Sequence, residues 1–499
     1  MTYKRMTYKQ YMSFKSSWIR QDSYKYSHPF QYPEGMKAYH GYIEPRGSKL
    51  NLKEIESQVD LINYLRPRLL LDENLNVNRM PFFGPKAWFK KMLENPLTEE
   101  QVEYFDNLLS KHGEPFDKET ALRAVREHGG HLPLRFKTLP EGTLSNIHAP
   151  QVVVESMEEY PEFARLGGFI ETQIHRATWY PTTVAGISYT IKQIITYYLE
   201  KTGDIAGLPF KLHDFGMRGG SSEETCEIGG LAHLVNFMGS DTIDAMILGD
   251  WAYNVECAGY SIPASEHSTM TALGPLYEWV QMQRMLNQFP KHGIVACVSD
   301  SYNVFNAVEN IWGDKLRQEV IDSGKTLVIR PDSGDPLEIN MWIVEKLAEK
   351  FGFTVNDKGY KVLNHVRMIQ GDGVCPAVIA QILQGAMDRG YSADNWAFGM
   401  GGALLQKLDR DTFKYAMKCS ALDFGNGWVD VYKDPITDTG KRSLRGRVGT
   451  KWENGKMVPC KAEENTLLQD VVVNGQLLID DDFDTIRARA NADPLTLGQ

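Results

Sequence analysis

Charged side chains follow short apolar runs at several places in the middle of this sequence. In LVIRPDSGDP, residues 327–336, an aliphatic run leads into Arg330, then a proline, then Asp332. Pro-Asp-Ser-Gly is ordinary turn chemistry, so one interpretation is a strand that ends in a charged turn. The other interpretation is a ligand site, because an arginine guanidinium offers a two-pronged donor that suits phosphate and planar polar groups.

Five further runs end in the same manner, which favours the ligand interpretation. Asp300, Asp332 and Asp372 all fall at such ends, where carboxylates could hold Mg²⁺ through water and accept hydrogen bonds from sugar hydroxyls. A lone aspartate in a turn is usually a cap, but three at one edge of a fold are less usual. The five further ends are HDFGMRGG (213–220), ASEHS (264–268), SDS (299–301), QGDG (370–373) and FGMGG (398–402).

The glycines and arginines of these ends suit a phosphate group. Gly-Met-Gly-Gly at 399–402 could offer unobstructed backbone N–H groups at the start of the LLQKL helix. The stretch lacks GxGxxG spacing, however, and most glycine turns are only turns. Arg218 and Arg330 could bind phosphate or form solvated ion pairs. Residue types and positions therefore predict a sugar-phosphate ligand, but not which one or what is done to it.

The region between about 205 and 405 alternates short apolar runs with helical patterns, which predicts parallel βα units. The runs include those above and DAMILGD (244–250). If all the strands point the same way, their carboxyl ends meet at one edge, where a βα barrel builds its active site. We therefore expect an α/β fold with an irregular barrel as its catalytic domain.

The flanking regions show different patterns. Apolar spacings of three and four predict helices over much of 52–130 and 168–201, with strands in KAYHGYIEPRGSK and VVVESMEEYPEF. After about 410, three Asn-Gly pairs punctuate short strands, which is typical of antiparallel hairpins, and DDFDTIRARA predicts a closing helix. We expect an extension (1–20), N-terminal strands with a helical region (21–204), the barrel (205–405) and a β-rich, sandwich-like domain (406–499) packed against N-terminal strands.

Composition limits the classes of partner. The 499 residues carry a net charge of −10, which argues against a general nucleic-acid or acidic-membrane binder. No apolar run approaches the ~18 residues of a membrane span, and MTYKRMTYKQYMSFKSSW lacks the apolar core of a secretion signal. The six cysteines lie far apart without a CxxC pair, so we expect reduced thiols and a cytoplasmic location.

The order and spacing of the motifs resemble the nicotinamide phosphoribosyltransferase family, from about 20 to 490. The resemblance implies a type II phosphoribosyltransferase fold and a homodimer with its active sites at the subunit interface. The implied reaction joins nicotinamide to 5-phosphoribosyl-1-pyrophosphate, giving nicotinamide mononucleotide and pyrophosphate in NAD salvage. The matching stretches are HDFGMRGGSSEET, HLVNFMGSDT, GYSIPASEHST, VSDSYNVFNAVENIWG, VIRPDSGDP, QGDGV, AFGMGGALLQKLDRD, QDSYKYSH, YIEPRGSK and VYKDPITDTGKRS.

The resemblance also implies roles around the nicotinamide ring. Phe215 would stack on one face of the pyridine, and Tyr24 of the other subunit would cover the opposite face. The product is a pyridinium cation, which aromatic faces attract in a desolvated slot. Asp241 would accept a hydrogen bond from the amide and would repel the carboxylate of nicotinate. Arg330 would fix the ring and the phosphate side.

For the phosphoribosyl group, the resemblance implies hydroxyl, phosphate and metal ligands. Asp332 and Asp372 would hold the ribose hydroxyls, while Asp300 and Asp332 would lie near Mg²⁺ and pyrophosphate. The 5′-phosphate would be received by the glycine turns with help from Arg218. The implied phosphate-binding positions are Gly371, Gly401, Gly402 and a basic rim, partly from the partner chain, formed by Arg46, Arg410, Lys418, Lys433 and Lys441.

His267, in SEHST, matches the family histidine that ATP phosphorylates to drive product formation. Taken alone, a histidine after a glutamate is more often structural, but the matching flanks favour the catalytic role. We also infer that Glu266 orients its imidazole. Three residues depart from the family pattern: Ala296 stands where a serine is common near the amide, and Met217 and Met400 replace other residues. The segment around LGDWAYNVECAGYS is altered as well.

Three rival interpretations stay open on the sequence alone. Nicotinate phosphoribosyltransferase shares the fold and the reaction, and Asp241 opposes it. A non-catalytic binding protein on the same scaffold is a second rival, which the retained phosphate, metal and histidine positions oppose. An oxidoreductase is a distant third, since no strand–GxGxxG–helix pattern is present.

Overall fold

Two hydrophobic cores organise the computed structural model, which describes residues 6–15, 18–437 and 441–498. The larger core surrounds a six-stranded parallel sheet, and the other covers a seven-stranded antiparallel sheet. Residues 1–5, 16 and 17 of the predicted extension lie outside the described part. No helix in the described ranges is both long enough and apolar enough to cross a membrane.

The strands of both sheets and of three smaller pairings follow in chain order. They are β1 (Ala38–Pro45), β2 (Arg79–Pro81), β3 (Leu134–Thr138), β4 (Leu144–Asn146), β5 (Val152–Ser156), β6 (Leu212–Asp214), β7 (Gly239–Ser240), β8 (Ile294–Val298), β9 (Thr326–Arg330), β10 (Phe353–Val355), β11 (Lys361–Leu363), β12 (Val366–Gln370), β13 (Trp396–Met400), β14 (Tyr415–Asp423), β15 (Trp428–Asp430), β16 (Val448–Glu453), β17 (Lys456–Lys461), β18 (Gln469–Val473) and β19 (Gln476–Leu477).

The helices pack around these sheets. They are α1 (Tyr8–Lys15), α2 (His28–Gln31), α3 (Val59–Leu69), α4 (Pro85–Glu94), α5 (Glu99–His112), α6 (Lys118–Glu127), α7 (Leu166–Phe169), α8 (Glu171–Thr202), α9 (Glu223–Leu234), α10 (Ile243–Tyr253), α11 (His267–Met270), α12 (Glu278–Asn287), α13 (Val304–Asn306), α14 (Arg317–Asp322), α15 (Pro336–Phe351), α16 (Pro376–Asp388), α17 (Gly402–Gln406) and α18 (Phe483–Ala490). A π-helix, Ala307–Lys315, follows α13.

The parallel sheet has the strand order β7-β6-β13-β12-β9-β8, and every pairing within it is parallel. Its strands are short and largely buried, as expected when helices cover a parallel sheet. The carboxyl ends of all six strands therefore lie at one edge. This is the edge to which the sequence assigns the polar motifs.

An irregular segment closes the sheet into a barrel. Tyr260 forms an isolated parallel bridge with Gly239 of β7, and Ala264 forms another with Ala296 of β8. The two edge strands are thus joined through the chain between Tyr260 and Ala264 rather than by direct pairing. The predicted α/β fold with an irregular barrel is confirmed.

The antiparallel sheet combines strands from both ends of the chain, in the order β15-β14-β1-β5-β3-β18-β19. β1 pairs with β14 across some 370 residues of sequence and also pairs with β5. The last helix, α18, packs in a different hydrophobic core from β18, the longer strand before it. Its buried residues Phe483, Ile486 and Ala490 belong to the core of the barrel.

Most of the predicted elements are confirmed, including α18 and the hairpins. Asn454-Gly455 and Asn474-Gly475 have positive φ at both residues, as a tight two-residue hairpin turn requires. The strand predicted at DAMILGD is wrong, because these residues lie in α10. The strand before it is only Gly239–Ser240, which is too short to leave an apolar run in the sequence.

Candidate active site

Phe215 and Arg330 face each other at the carboxyl edge of the barrel. Phe215 directly follows β6, and its backbone N–H donates to the carbonyl of Met400 at 2.9 Å, which ties it to the end of β13. The Arg330 guanidinium carbon lies 5.5 Å from the centroid of the Phe215 ring. An aromatic face and a cation from well-separated strands are therefore brought together, as predicted.

Glycines allow the loops at this edge to approach each other closely. A Cβ atom on Gly219 would lie 2.8 Å from Cα of Gly402, so the loop that carries Arg218 rests against the start of α17. A Cβ atom on Gly371 would lie 2.9 Å from Nε of Arg330. Gly401 and Gly402 are themselves partly exposed, so their backbone is open to a ligand. Asp372 is exposed beside Gly371.

His267 begins α11 and faces two aspartates. Its Nε2 lies 3.0 Å from Oδ1 of Asp300, and its Nδ1 lies 3.9 Å from Oδ2 of Asp332. The inference that Glu266 orients this imidazole is wrong: the Glu266 carboxylate accepts a hydrogen bond from Ser268 and lies 3.8 Å from Arg218. Glu266 is the N-cap residue of α11, so its carboxylate serves the start of that helix.

The Asp300 carboxylate joins two loops through both of its oxygens. Oδ1 faces His267, while Oδ2 accepts hydrogen bonds from the Asp332 N–H at 3.0 Å and the Ser333 hydroxyl at 2.5 Å. Only 3% of the Asp300 side chain is exposed, compared with 45% for His267. Asp300 is therefore the fixed partner in this group. Sequence patterns gave no sign of the contribution of Ser333.

Arg330 is held on one side and free on the other. Its Nη2 donates to Oδ1 of Asp332 at 2.8 Å, and 17% of its side chain is exposed. Its Nε is buried without a hydrogen-bond partner in the described residues. A buried donor of this kind is costly unless a ligand or water accepts its hydrogen bond, so Arg330 fits a polar ligand next to Phe215.

Asp241 follows β7 and is fixed by neighbours that no sequence motif indicates. Its Oδ1 accepts a hydrogen bond from the Ser261 hydroxyl at 2.5 Å, and its N–H donates to the carbonyl of Asp214. The Asp214 carboxylate is fully buried and accepts from the Thr242 hydroxyl and the Gly216 N–H, both at 2.7 Å. Burial raises the pKa of Asp214. Asp214 thus holds the two loops that carry Phe215 and Asp241.

A cavity of about 310 Å³ opens behind Phe215 along the barrel axis. Its walls are mainly apolar, and Ala296, Val328 and Ile369 form a small hydrophobic cluster against the Phe215 ring. Asp241, Ser261 and Arg330 supply polar groups at its rim. Ala296 is 4% exposed and offers only a methyl group to this wall. The cavity suits a flat, weakly polar ring with a polar substituent.

A second, polar cavity of about 170 Å³ adjoins the first through Arg330. It is lined by Arg218, Glu266, His267, Ser268, Val298, Arg330 and Asp332. Arg218 extends into solvent, with 84% of its side chain exposed. Met217 is 37% exposed in the same loop, while Met400 is buried at 3% and cannot contact a ligand there. The two arginines and the histidine suit an anionic group.

The predicted basic rim lies on and beside the antiparallel sheet, with Arg46 directly after β1 and Arg410 in the turn before β14. Burial lowers the pKa of Lys418 on β14; Glu171 opposes this shift, and the nearby positive charges of Arg46 and Lys433 add to it. Arg410 and Lys418 both act on His175, whose pKa burial lowers to about 4. Lys441 is exposed in the loop that follows Lys433. Arg46, Arg410, Lys418 and Lys433 therefore form a cluster of like charges.

Tyr24 lies in the N-terminal part of the described chain. Its side chain is 53% exposed, and its ring packs edge-on against His28 with centroids 4.9 Å apart. Lys25, its neighbour, forms an ion pair with Glu171, the acidic residue beside Lys418. Tyr24 is thus an exposed aromatic ring next to the basic rim.

The aspartates fit a hydrated Mg²⁺ rather than a directly liganded one. Both oxygens of Asp300 already accept hydrogen bonds, and Oδ1 of Asp332 is engaged by Arg330. Among the residues with described positions, no group of three or more His, Cys, Asp or Glu side chains could hold a metal ion. Mg²⁺ commonly keeps its waters and binds through one or two carboxylates together with substrate phosphates.

Comparison with known proteins identifies close sequence relatives. The family model described as "Nicotinate phosphoribosyltransferase (NAPRTase) family" matches residues 210–469. The model described as "Nicotinamide phosphoribosyltransferase, N-terminal domain" matches residues 16–136. The chain is 42% identical over 487 residues to nicotinamide phosphoribosyltransferase of Xanthomonas campestris pv. campestris, covering 95% of this chain and 98% of that protein. It is 30% identical over 501 residues to the enzyme of that name from Acinetobacter baylyi, and the match covers 94% of this chain and 95% of that protein.

Solved structures share the fold at much lower identity. Nicotinate-nucleotide pyrophosphorylase from Pyrococcus furiosus superposes with a TM-score of 0.58 at 12% identity, covering 100% of this chain and 99% of that one. Human nicotinic acid phosphoribosyltransferase superposes with a TM-score of 0.53 at 16% identity, covering 95% and 93%. These likenesses confirm the type II phosphoribosyltransferase architecture.

Proposed function

Since this chain belongs to the nicotinate and nicotinamide phosphoribosyltransferase family, we propose that it makes nicotinamide mononucleotide from nicotinamide and 5-phosphoribosyl-1-pyrophosphate. The pyridine nitrogen would attack the anomeric carbon of the ribose. The bond from that carbon to the pyrophosphate oxygen would break, and its electron pair would leave with the pyrophosphate. No proton needs to move, because the pyridine nitrogen is already a nucleophile.

The observation that carries the proposal is the pairing of Phe215 with Arg330 at the mouth of the apolar cavity. A nicotinamide ring against Phe215 would have its developing positive charge over an aromatic face. The adjoining polar cavity would hold the phosphoribosyl group between Arg218, Arg330 and Asp332. Asp372 and Asp332 would accept hydrogen bonds from the ribose hydroxyls, and Gly371, Gly401 and Gly402 would offer backbone to the phosphate.

The choice of amide over acid rests on Asp241. Its carboxylate, which is held by Ser261, would accept a hydrogen bond from an amide N–H. The same carboxylate would repel the negative charge of nicotinate, which is a device for excluding the acid. The relatives from Xanthomonas campestris and Acinetobacter baylyi both carry the name nicotinamide phosphoribosyltransferase, which agrees with this choice.

Charge stabilisation would carry most of the rate. Mg²⁺, brought with the pyrophosphate and held near Asp300 and Asp332 through water, would neutralise charge on the leaving group. Arg218 and Arg330 would act on the same group, while the aspartates would tolerate positive charge on the ribose. The site would also increase the rate by holding the ring nitrogen in line with the anomeric carbon and the bond that breaks.

His267 is suited to accept a phosphoryl group from ATP. With Nε2–H donating to Asp300 at 3.0 Å, the lone pair is on Nδ1, which lies on the side of Asp332, and both residues line the polar cavity. Nδ1 would attack the γ-phosphorus of ATP, and the electron pair of the broken bond would leave on ADP. Hydrolysis of this phosphohistidine would draw the equilibrium toward nicotinamide mononucleotide.

Assembly as a homodimer would complete the site. The basic rim lies on and beside the antiparallel sheet, with Lys418 on β14, Arg46 directly after β1, Arg410 before β14, and Lys433 and Lys441 after β15. A two-fold dimer would place the rim and Tyr24 of one protomer over the barrel edge of the other. Tyr24 would then cover the free face of the nicotinamide ring. We also expect the enzyme to act in the cytoplasm, where its six free thiols would stay reduced.

The proposal is tested by measuring product formation from nicotinamide, 5-phosphoribosyl-1-pyrophosphate and Mg²⁺, with and without ATP. We expect nicotinamide mononucleotide and pyrophosphate in equal amounts, and faster formation with ATP. The same assay with nicotinate is the control for substrate choice. A higher kcat/KM for nicotinate than for nicotinamide would overturn the assignment in favour of the acid-specific enzyme.

A further inference from the structure

Trp312 lies in the π-helix behind the strand ends, and its indole is fully buried. Its hydrogen bond joins residues five apart instead of the four of an α-helix: the N–H of Leu316 donates to the carbonyl of Ile311 at 2.8 Å. π-Helical turns are rare and frequently mark functional sites. Because an α-helix turns about 100° per residue, α-helical winding would direct the indole elsewhere.

The indole of Trp312 donates its one hydrogen bond to the residue before Asp300. Its Nε1–H lies 3.1 Å from the hydroxyl oxygen of Ser299, which in turn donates to the carbonyl of Cys297 at 3.0 Å. The Ser299 N–H donates to the carbonyl of Arg330, also at 3.0 Å. Ser299 is fully buried, so water cannot replace the indole as its donor.

We propose that Trp312 is a positioning residue for Asp300 and acts through it on His267. The inference rests on the proposed function, since the roles of His267 and Asp332 belong to that reaction. The backbone of Ser299 fixes the position of the next residue, Asp300, and so of the Cα atom from which its carboxylate extends. That carboxylate then holds the His267 imidazole on one oxygen and the Asp332 loop on the other.

The chain of contacts explains why a rare helix type stands next to this site. Trp312 and Ser299 are 13 residues apart in sequence, and the chain between them contains α13 and the first part of the π-helix. Three hydrogen bonds at Ser299 close this loop onto both β8 and β9. The indole thus replaces the solvent that would otherwise have to satisfy a buried hydroxyl.

The test compares Trp312→Phe with Trp18→Phe, measured on the full chain with nicotinamide, 5-phosphoribosyl-1-pyrophosphate, Mg²⁺ and ATP. Trp18 is a matched control, since it is 2% exposed and donates its indole N–H to the carbonyl of Gly130 at 3.0 Å, in the other core. We expect Trp312→Phe to lower kcat roughly tenfold, as when a partner that orients a reacting group is lost, and to leave the KM for nicotinamide unchanged. Trp18→Phe should keep both constants.

Ser299→Ala provides a second variant that leaves the indole and its packing in place. It should lower kcat as much as Trp312→Phe, and the double variant should lose no more than either single one, because both changes remove the same contact. Multiplied losses in the double variant, or a Trp312→Phe enzyme as fast as Trp18→Phe, would overturn the inference.

The state of the His267 ring supplies a readout that does not depend on turnover. NMR of protein with ¹⁵N-labelled histidine reports the tautomer of His267, and the His267→Gln variant assigns its signal. The wild-type protein should show the Nε2–H tautomer. Trp312→Phe should mix the two tautomers, whereas Trp18→Phe should not. An unchanged chain that makes no nicotinamide mononucleotide would count against the proposed function, while a tautomer unaffected by Trp312→Phe would count against this inference alone.

Discussion

The backbone of Gly399 lies directly against the ring of Phe215. A Cβ atom built on Gly399 would overlap Cε2 and Cδ2 of the ring and would lie 2.8 Å from its Cζ. Gly399 is the fourth of the five residues of β13, so the strand leaves room for the ring at this position rather than packing a side chain. The place at which a pyridine can stack is therefore set by a glycine on the neighbouring strand.

Replacing Gly399 by alanine should displace the Phe215 ring. We expect the KM for nicotinamide to rise about tenfold, because a shift of an ångström in a substrate-positioning group has effects of this order or larger. The KM for 5-phosphoribosyl-1-pyrophosphate should change much less. Steady-state kinetics with each substrate varied in turn measures both constants.

Gly293→Ala is the matched control for this substitution. A Cβ atom on Gly293 would meet nothing within 4 Å, and the residue directly precedes β8. Neither glycine has a positive φ, so backbone strain is the same in the two variants. Unchanged nicotinamide binding in Gly399→Ala would show that Phe215 does not carry the ring.

Substituting Asp241 by asparagine should weaken discrimination between amide and acid. The asparagine can still accept the Ser261 hydrogen bond but no longer repels a carboxylate. We expect the ratio of kcat/KM for nicotinamide to that for nicotinate to fall by at least about tenfold. Asp250→Asn, an exposed position of α10, removes the same charge at a distance and should leave the ratio unchanged. An unaltered ratio in Asp241→Asn would show that repulsion by this carboxylate does not exclude nicotinate.

Complementation between two inactive variants should reveal the shared site. Asp332→Asn damages the barrel edge, and the double substitution Arg410→Ala/Lys433→Ala damages the basic rim. Random mixing should restore about a quarter of the wild-type rate, since half of the dimers are mixed and each mixed dimer has one intact site. Co-expression followed by an activity assay tests this.

The control for complementation pairs two variants of the same edge, Asp332→Asn and Asp300→Asn. Every site in their mixed dimers still carries one lesion, so no activity should return. Recovery in this control, or its absence with the rim variant, would contradict a site built from two protomers.

Acidification should destabilise the chain through His233. This ring is fully buried; its Nδ1 accepts from the Ser188 hydroxyl at 2.9 Å and its Nε2–H donates to the carbonyl of Gly239 at 3.1 Å. Burial lowers the pKa of His233 from 6.5 to about 3. Between those values the unfolded chain binds more protons, so stability is full above pH 6.5 and falls as the pH drops below it.

The fall amounts to at most about 1.4 kcal/mol for each pH unit. His233→Gln should show a flatter decline of unfolding free energy between pH 6.5 and 4, measured by denaturant titration. His292→Gln, whose ring is exposed, should keep the wild-type slope. Parallel slopes for all three proteins would show that His233 does not contribute.

The carboxyl edge of the barrel could be predicted because each of its longer strands has a local signature. Thr326–Arg330 and Val366–Gln370 are apolar runs that end in polar residues, and parallel strands bring such ends together whatever their order. The nearness of Phe215 to Arg330 follows from that rule. β7 could not be predicted, since two residues leave no periodic pattern and the apolar residues after it belong to α10.

The partners within the site depend on tertiary contacts that carry no local signal. Asp300, not the adjacent Glu266, faces His267, because Glu266 is committed to capping its own helix. Trp312 reaches Ser299 only through a π-helical register that no spacing rule anticipates. The basic rim comes from the ends of β1 and β14 and from the loop after β15, which meet because β1 and β14 pair across most of the chain.

Helix α8 runs without interruption for 32 residues and supplies side chains to both hydrophobic cores. Ile174 near its start packs with the antiparallel sheet, whereas Val184, Ile191 and Leu199 pack with the barrel. Neither core can be expected to fold as a separate fragment, because cutting the chain would remove from one core the α8 side chains that pack in it. Thermal melting should accordingly proceed in one step, with the two cores unfolding together.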